Sequence, residues 1–398
     1  MKHTFRKGFA LLMALCLFMP LFGLSALAEN TGELSIDYQF KGVDVPDTDG
    51  AQVMAAGMTN DPYSSRQWGM KMIGMEAAWQ SGLTGKGVRV AIIDGGVYTN
   101  TGEFDAGRLL PGKNLVDGGS TEDSNGHGTF IAGIIGAAKD NGAGIAGIAP
   151  GVTIIPIKTS NDGSMADGVG AQAIYAAVDE YHCDVINYSS GSIKLSTGMR
   201  EAVQYAVGKG VIIVCSTGND GNTQLHYPGA LPETIGVGSI DKGLERSSFS
   251  HQNSSIFVTA PGEEVYSIGA RGSVYSSSGT SFSAPFVTGL AALLKEAHPQ
   301  MNTDDFKAIL QASCYDLGAA GYDKEYGWGL IQAPAAIRAA AEYFGTTAPE
   351  MPDSPAPTPD PTYNQTIWSQ LFNFSWLREL FQSIIRNLFK GWSPNLSF

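Results

Sequence analysis

Six short apolar runs, rich in β-branched residues, recur through the middle of the chain at residues 88–94, 153–159, 184–190, 211–218, 234–240 and 256–259. Continuous runs of this kind, without in-and-out alternation, are the pattern of strands buried on both faces. Between and after them, apolar positions return at three- and four-residue steps over 128–138, 166–181, 196–207, 281–297 and 303–312. That spacing predicts helices with one buried face. Strands alternating with helices predict an α/β fold with a mainly parallel sheet and functional loops at the carboxyl ends of its strands. There is no internal repeat.

The two ends read differently from this core. Lys2, Arg6 and Lys7 precede an apolar run over 8–24, and Ala26-Leu27-Ala28 follows as a small-x-small cleavage site. Residues 1–28 are thus expected to be a secretory signal peptide, too short to serve as a membrane span. Residues 29–59 are acidic and poorly periodic, as a short pro-segment or N-terminal extension would be. The α/β domain is expected over 60–345. Pro349, Pro352, Pro355, Pro357, Pro359 and Pro361 mark 346–362 as a semi-extended linker that frees the C-terminal tail from the core. In 363–398, Leu377, Leu380, Phe381, Ile384, Ile385, Leu388 and Phe389 form one apolar helical face, and Arg378, Glu379, Gln382, Arg386, Asn387 and Lys390 the other. A short amphipathic helix is expected there.

Charge and cysteine content narrow the function. Removing the leader's three basic residues leaves 22 Lys and Arg against 38 Asp and Glu, a net charge of −16. A protein so acidic is not expected to bind nucleic acid. Cys183, Cys215 and Cys314 remain after the leader, odd in number and without metal-ligand spacing. Buried free thiols are expected, with one disulfide left open.

Four residues stand in settings suited to acyl transfer. Ser281, in Gly279-Thr280-Ser281-Phe282-Ser283-Ala284-Pro285, begins an apolar helical run whose N-terminus offers amide groups to a developing oxyanion. His127, in Asn125-Gly126-His127-Gly128-Thr129, also enters a helix. Asp94 ends the first buried strand, where its carboxylate can orient an imidazole. Asn219, in Ser216-Thr217-Gly218-Asn219-Asp220, can donate a side-chain N–H to the oxyanion. Each setting alone is commonly a turn or a cap. Together, in the order Asp, His, Ser, they are the constellation of one protease class.

The chain here resembles the subtilisin-like (subtilase) serine proteases. Val90-Ala91-Ile92-Ile93-Asp94-Gly95-Gly96 is similar to that family's aspartate motif, His127-Gly128-Thr129-Phe130-Ile131-Ala132-Gly133 to its histidine motif, and Gly279 to Pro285 to its serine motif. Asn219 falls at its oxyanion asparagine. The resemblance implies a three-layer α/β domain, endopeptidase activity on polypeptides and no cofactor for catalysis. A catalytically inactive fold acting as a surface binding module is the alternative, against which the intact set of four argues. Bulk degradation and dedicated processing are not separable from these motifs. Three departures stand out: Gly95 where the family has Ser or Thr, Phe286 where His is common, and a short pro-segment.

The resemblance also implies a substrate cleft. Ser189, Ser190 and Gly191 match one wall of the first specificity pocket, and Ser216, Thr217 and Gly218 the other. His226 falls at the pocket floor, either as a solvated loop residue or as a group that partly fills the pocket against large aromatic side chains. Asp140-Asn141-Gly142-Ala143-Gly144-Ile145 resembles the family's calcium loop, with Asn141 and Glu103 as side-chain ligands and the Ala143 and Ile145 carbonyls beside them, or is a plain turn. The tail's aromatic face and basic-leaning polar face suit a membrane or cell-envelope surface, folding back onto the domain, or pairing with a second copy.

Overall fold

The computed structural model describes residues 58–361 except 106 and 167, together with the strand Val43–Asp44 and Tyr363. The expected signal peptide and amphipathic tail lie outside the described residues.

Seven strands form one parallel sheet in the order β3-β4-β2-β5-β6-β7-β8. They are β2 (Arg89–Asp94), β3 (Lys113–Asn114), β4 (Thr153–Lys158), β5 (Val185–Tyr188), β6 (Ile212–Ser216), β7 (Ile235–Ile240) and β8 (Val258–Pro261). A small antiparallel sheet, order β1-β10-β9, comprises β1 (Val43–Asp44), β9 (Val265–Ile268) and β10 (Val274–Ser277). The helices are α1 (Trp68–Met72), α2 (Met75–Ala78), α3 (His127–Gly136), α4 (Val169–Tyr175), α5 (Thr197–Gly208), α6 (Thr280–Ala297), α7 (Thr303–Ser313) and α8 (Ala333–Tyr343).

Side-chain alternation in the strands explains the layering. In β2, Val90 and Ile92 enter the core shared with α3 and α6, whereas Ala91 and Ile93 enter the one shared with α4 and α5. Both faces are therefore covered, and every strand residue from Val90 to Asp94 is buried. This is the three-layer α/β arrangement expected from the sequence. α6 runs through the larger core and is buried from Thr280 to Lys295, which accounts for its near-continuous apolar composition.

β2 pairs with β4 on one side and β5 on the other, so the sheet's order reverses there. A reversal opens a crevice at the carboxyl ends of the strands. Asp94 is the last residue of β2, and Ser216 the last of β6. The fold thus carries the candidate residues to one edge.

Two expectations need amendment. The helix expected over 166–181 is shorter: α4 spans Val169–Tyr175 and continues as a wide π turn over Ala176–Glu180. The proline-rich stretch is extended, with no helix or strand over 346–360, but it is not detached from the core. Arg338 donates to the carbonyls of Met351 and Pro352, Met351 packs against the larger core, and the Asp360 amide donates to Lys242 O. It is a strap held along the domain at least to Tyr363, whose hydroxyl lies 3.5 Å from Glu263 Oε1.

Candidate active site

Asp94 and His127 meet through the topology. β2 delivers the carboxylate at its end, and α3 begins with the imidazole. His127 Nδ1 lies 2.8 Å from Asp94 Oδ2 and 2.9 Å from Oδ1, with both side chains buried. The Gly95 amide donates to Asp94 Oδ1 at 2.7 Å. Gly95 supplies no hydroxyl, although a side chain there would find only ordinary contacts with Asn125 and Asp123.

Asp123 holds the start of α3, a role the sequence reading missed. Its Oδ1 accepts from the amides of Asn125 and Gly126, and its Oδ2 from the amide and hydroxyl of Thr129, at 2.6–3.1 Å. It caps the helix from four residues before His127, and an Asp ahead of Asn-Gly at a helix start was the available signal. Burial raises the Asp123 pKa, opposed by the Thr129 hydrogen bonds. For His127 burial acts the other way and lowers the pKa, but the charge and hydrogen bond of Asp94, helped by Asp123, leave it above the ordinary histidine value.

Ser281 occupies the second position of α6, 4% exposed. The His127 ring stands 5.3 Å from that of Phe282, the next residue, so the start of α3 packs against the start of α6. Ser281 Oγ donates to Ser189 O at 3.2 Å, and Ser189 Oγ donates back to Ser281 O at 2.9 Å. Pro285 explains why that carbonyl is open. It sits four residues on, where an amide N–H would otherwise take the Ser281 carbonyl within the helix, and proline has none.

Asn219 follows β6 and is oriented by the same helix. Its Oδ1 accepts from the Thr280 amide at 2.8 Å and the Thr280 hydroxyl at 2.9 Å. With the oxygen so engaged, the Nδ2 donors are directed away from Thr280. The walls of the expected cleft continue two neighbouring strands. Ser189, Ser190 and Gly191 follow β5 directly, and Ser216 ends β6 with Thr217 and Gly218 following it, beyond the paired residues Tyr188 and Cys215. Thr217 is turned into the sheet, its hydroxyl donating to Val237 O at 3.0 Å.

Cys183, Cys215 and Cys314 are free. Burial pushes Cys183 up to about 12 and raises the other two as well, so none is a ready thiolate. Phe286 is a core residue, packed over Gly69.

Glu103 and Asn141 are brought together away from the cleft: Asn141 Nδ2 lies 3.1 Å from Glu103 Oε2. Glu103 is 2% exposed, and burial pushes its pKa up to about 7, opposed by hydrogen bonds from Asn141 and Ile145. The loop's other side is tied by Asp61, which accepts from the amides of Asp140, Asn141 and Gly142. Among the described residues no group of three or more His, Cys, Asp or Glu converges on one point. No helix of the described residues is long and apolar enough to cross a membrane.

Residues 85–329 match the model of the subtilase family. Thermitase of Thermoactinomyces vulgaris is 40% identical over 265 residues, covering 66% of this chain and 93% of thermitase. Subtilisin BL of Lederbergia lenta is 36% identical over 277 residues, covering 68% and 98%. The minor extracellular protease Epr of Bacillus subtilis is 32% identical over 79% of this chain, which spans about half (49%) of that relative. Among solved structures, a protease of Pseudoalteromonas arctica superposes with a TM-score of 0.65 at 27% identity, covering 71% of this chain and 100% of that one. On the family match, these relatives and the parallel-sheet fold, the chain belongs to the subtilase family and is a subtilisin-like serine endopeptidase.

Proposed function

We propose that Asp94, His127 and Ser281 are the catalytic triad and that Asn219 completes the oxyanion hole. The observation that carries this reading is the buried Asp94–His127 pair set against the N-terminus of α6, where Asn219 is fastened to Thr280. Ser281 Oγ turns from Ser189 O to the imidazole, gives its proton to His127 Nε2 and attacks the peptide carbonyl carbon. Asp94 keeps the Nδ1–H tautomer in place and stabilises the imidazolium. The oxyanion forms beside Asn219 Nδ2 and the amides that open α6, so charge develops where donors already point. His127 then hands the proton to the leaving amine. Water, deprotonated by the same histidine, attacks the acyl-enzyme, and the His127 imidazolium returns that proton to Ser281 Oγ as the ester bond breaks. The extended substrate adds as a strand against the cleft edge, with one side chain entering the pocket between segments 189–191 and 216–218.

The leader at 1–28, together with an extracellular relative, supports secretion of the enzyme. Residues 29–59 act as the pro-segment. In its favour, β1 pairs antiparallel with β10 at Ser276 and Tyr275, just before the Ser281 turn. Calcium is a structural ligand only. The buried Glu103 carboxylate is a hard oxygen donor of the kind that cation takes, and it would hold the ion with the Ala143 and Ile145 carbonyls and with Asn141 Oδ1, once that amide turns its oxygen from the Ala143 amide and its nitrogen from Glu103. The tail, 363–398, is proposed to associate with the membrane or cell envelope, on its sequence pattern alone.

Cleavage of an internally quenched peptide tests the reaction class. A fluorophosphonate should abolish it, and iodoacetamide should leave it intact. Cleavage that survives complete fluorophosphonate treatment and stops with the thiol reagent would overturn the reading.

A further inference from the structure

Lys158, the last residue of β4, is 5% exposed and among the described residues enters no ion pair. Its ammonium donates to Glu122 O at 2.7 Å and to Ser124 Oγ. A cation buried against neutral acceptors is costly, and an apolar side chain of similar length would fill the space at less cost. The two acceptors show what the charge holds, because they lie on either side of Asp123. Asp123 is the residue whose carboxylate takes the amides of Asn125, Gly126 and Thr129 and so fixes the turn into α3. Lys158 grips the loop one residue before that carboxylate and one residue after it.

The same loop is fixed on its other side by the chain leaving β2. The Val97 amide donates to Thr121 O at 3.0 Å, and a Cβ on Gly96 would stand 2.4 Å from Thr121 O and 2.8 Å from Glu122 O. With φ +108° and no side chain, Gly96 lets the backbone pass this close. Asp94 and Lys158 are facing residues in the β2–β4 register, so their side chains leave the sheet on the same face. The carboxylate that meets His127 and the ammonium that holds the loop ahead of His127 are therefore anchored side by side. Resting on the assignment of His127 as the base, we propose that Lys158 is a positioning residue for the reaction: by bracketing Asp123 it holds the start of α3, and with it the imidazole, in place against Asp94. Its donors reach the loop and not the imidazole, so it acts through Asp123. Without the ammonium, Glu122 O and Ser124 Oγ lose their shared anchor, the Asp123 cap loosens, and the ring leaves its best alignment.

The test is a double-mutant cycle of Lys158→Met and Asp123→Ala on an internally quenched peptide, with kcat counted per site titrated by a fluorophosphonate. Counting by site removes any loss due to unfolded protein. Lys158→Met should lower kcat at least about tenfold while KM changes less than about twofold; a misplacement of about 1 Å can cost about a hundredfold. Because both residues act on one loop, adding Lys158→Met to Asp123→Ala should cost little more. Parental kcat in Lys158→Met, or losses that multiply in the double variant, would overturn the proposal while the triad assignment stands. A parent that takes no label would sink both. Should Lys158→Met not fold, Ser124→Ala removes one acceptor from the surface side. It should lower kcat at least about threefold at unchanged KM, the size of one modest hydrogen bond, and an undiminished kcat there overturns the proposal.

Discussion

His127 Nδ1 is reached by both oxygens of Asp94, at 2.8 and 2.9 Å, in a site where neither side chain is more than 7% exposed. Burial alone would favour neutral imidazole, and the carboxylate more than offsets it. In the proposed mechanism His127 must be neutral to take the Ser281 proton, so activity should be lost on the acid side as the ring protonates. The acid limb of kcat/KM is expected above the ordinary histidine value, about 6.5. In Asp94→Asn that limb should move to lower pH, since burial then acts unopposed by the neighbouring charge, and kcat should fall by about four orders of magnitude. A pH–rate profile of both proteins checks it, and an unmoved limb contradicts the coupling.

Asn219 is held by Thr280 through its oxygen, and in the proposed mechanism its side-chain donors stabilise the oxyanion. Asn219→Ala should lower kcat by about two to three orders of magnitude with little change in KM. That size is the known effect of removing such a donor in subtilisin, not a figure derived from these distances. Steady-state kinetics decides the point, and equal kcat values would give Asn219 another role.

The positions of the candidate residues were legible because each sits at or near an element boundary that the apolar pattern marks. The run at 88–94 ends on Asp94 as β2 does, and the run at 281–297 differs from α6 only by Thr280. What stayed hidden depends on partners far apart in the chain. No local pattern shows that Gly218 lies against His251, or that Pro285 opens a carbonyl for Ser189. Strands β3, β9 and β10 are short, and the latter two mix Tyr and Ser with Val, so they carry no clear period. α8 is Ala-rich and went unmarked. Proline content suggested a semi-extended segment at 346–362, and residues 346–360 carry no helix or strand, but composition says nothing of Arg338 pinning the segment to the domain.

Calcium should matter for stability and not for the chemical step. At about 100-fold excess over its dissociation constant the cation would add about 2.7 kcal/mol, or about 5–10 °C in melting temperature. EDTA should remove that increment and added Ca²⁺ restore it. In Asn141→Ala and Glu103→Gln the calcium-dependent part of the shift should vanish, whatever their starting stability. Parent and variants that respond alike to calcium would reduce the loop to a turn tied by Asp61.

The tail's surface association is separable from the domain by truncation, and the strap dictates where. Ending the chain after Phe344 would strip the contacts of Met351 and Asp360, so the chain should end after Tyr363. Full-length protein should co-sediment with anionic liposomes at low salt, and the truncated chain should remain in solution, both carrying Ser281→Ala to prevent self-cleavage. Two supernatants would dismiss the membrane contact.

The central claim is that Ser281, activated by His127, is the nucleophile. Fluorophosphonate labelling of the purified protein followed by peptide mass mapping tests it most directly. One adduct is expected, on Ser281, abolished in Ser281→Ala and slowed by at least about a hundredfold in His127→Ala while both variants melt cooperatively. An adduct on any other residue, or undiminished labelling of folded Ser281→Ala, would contradict the account.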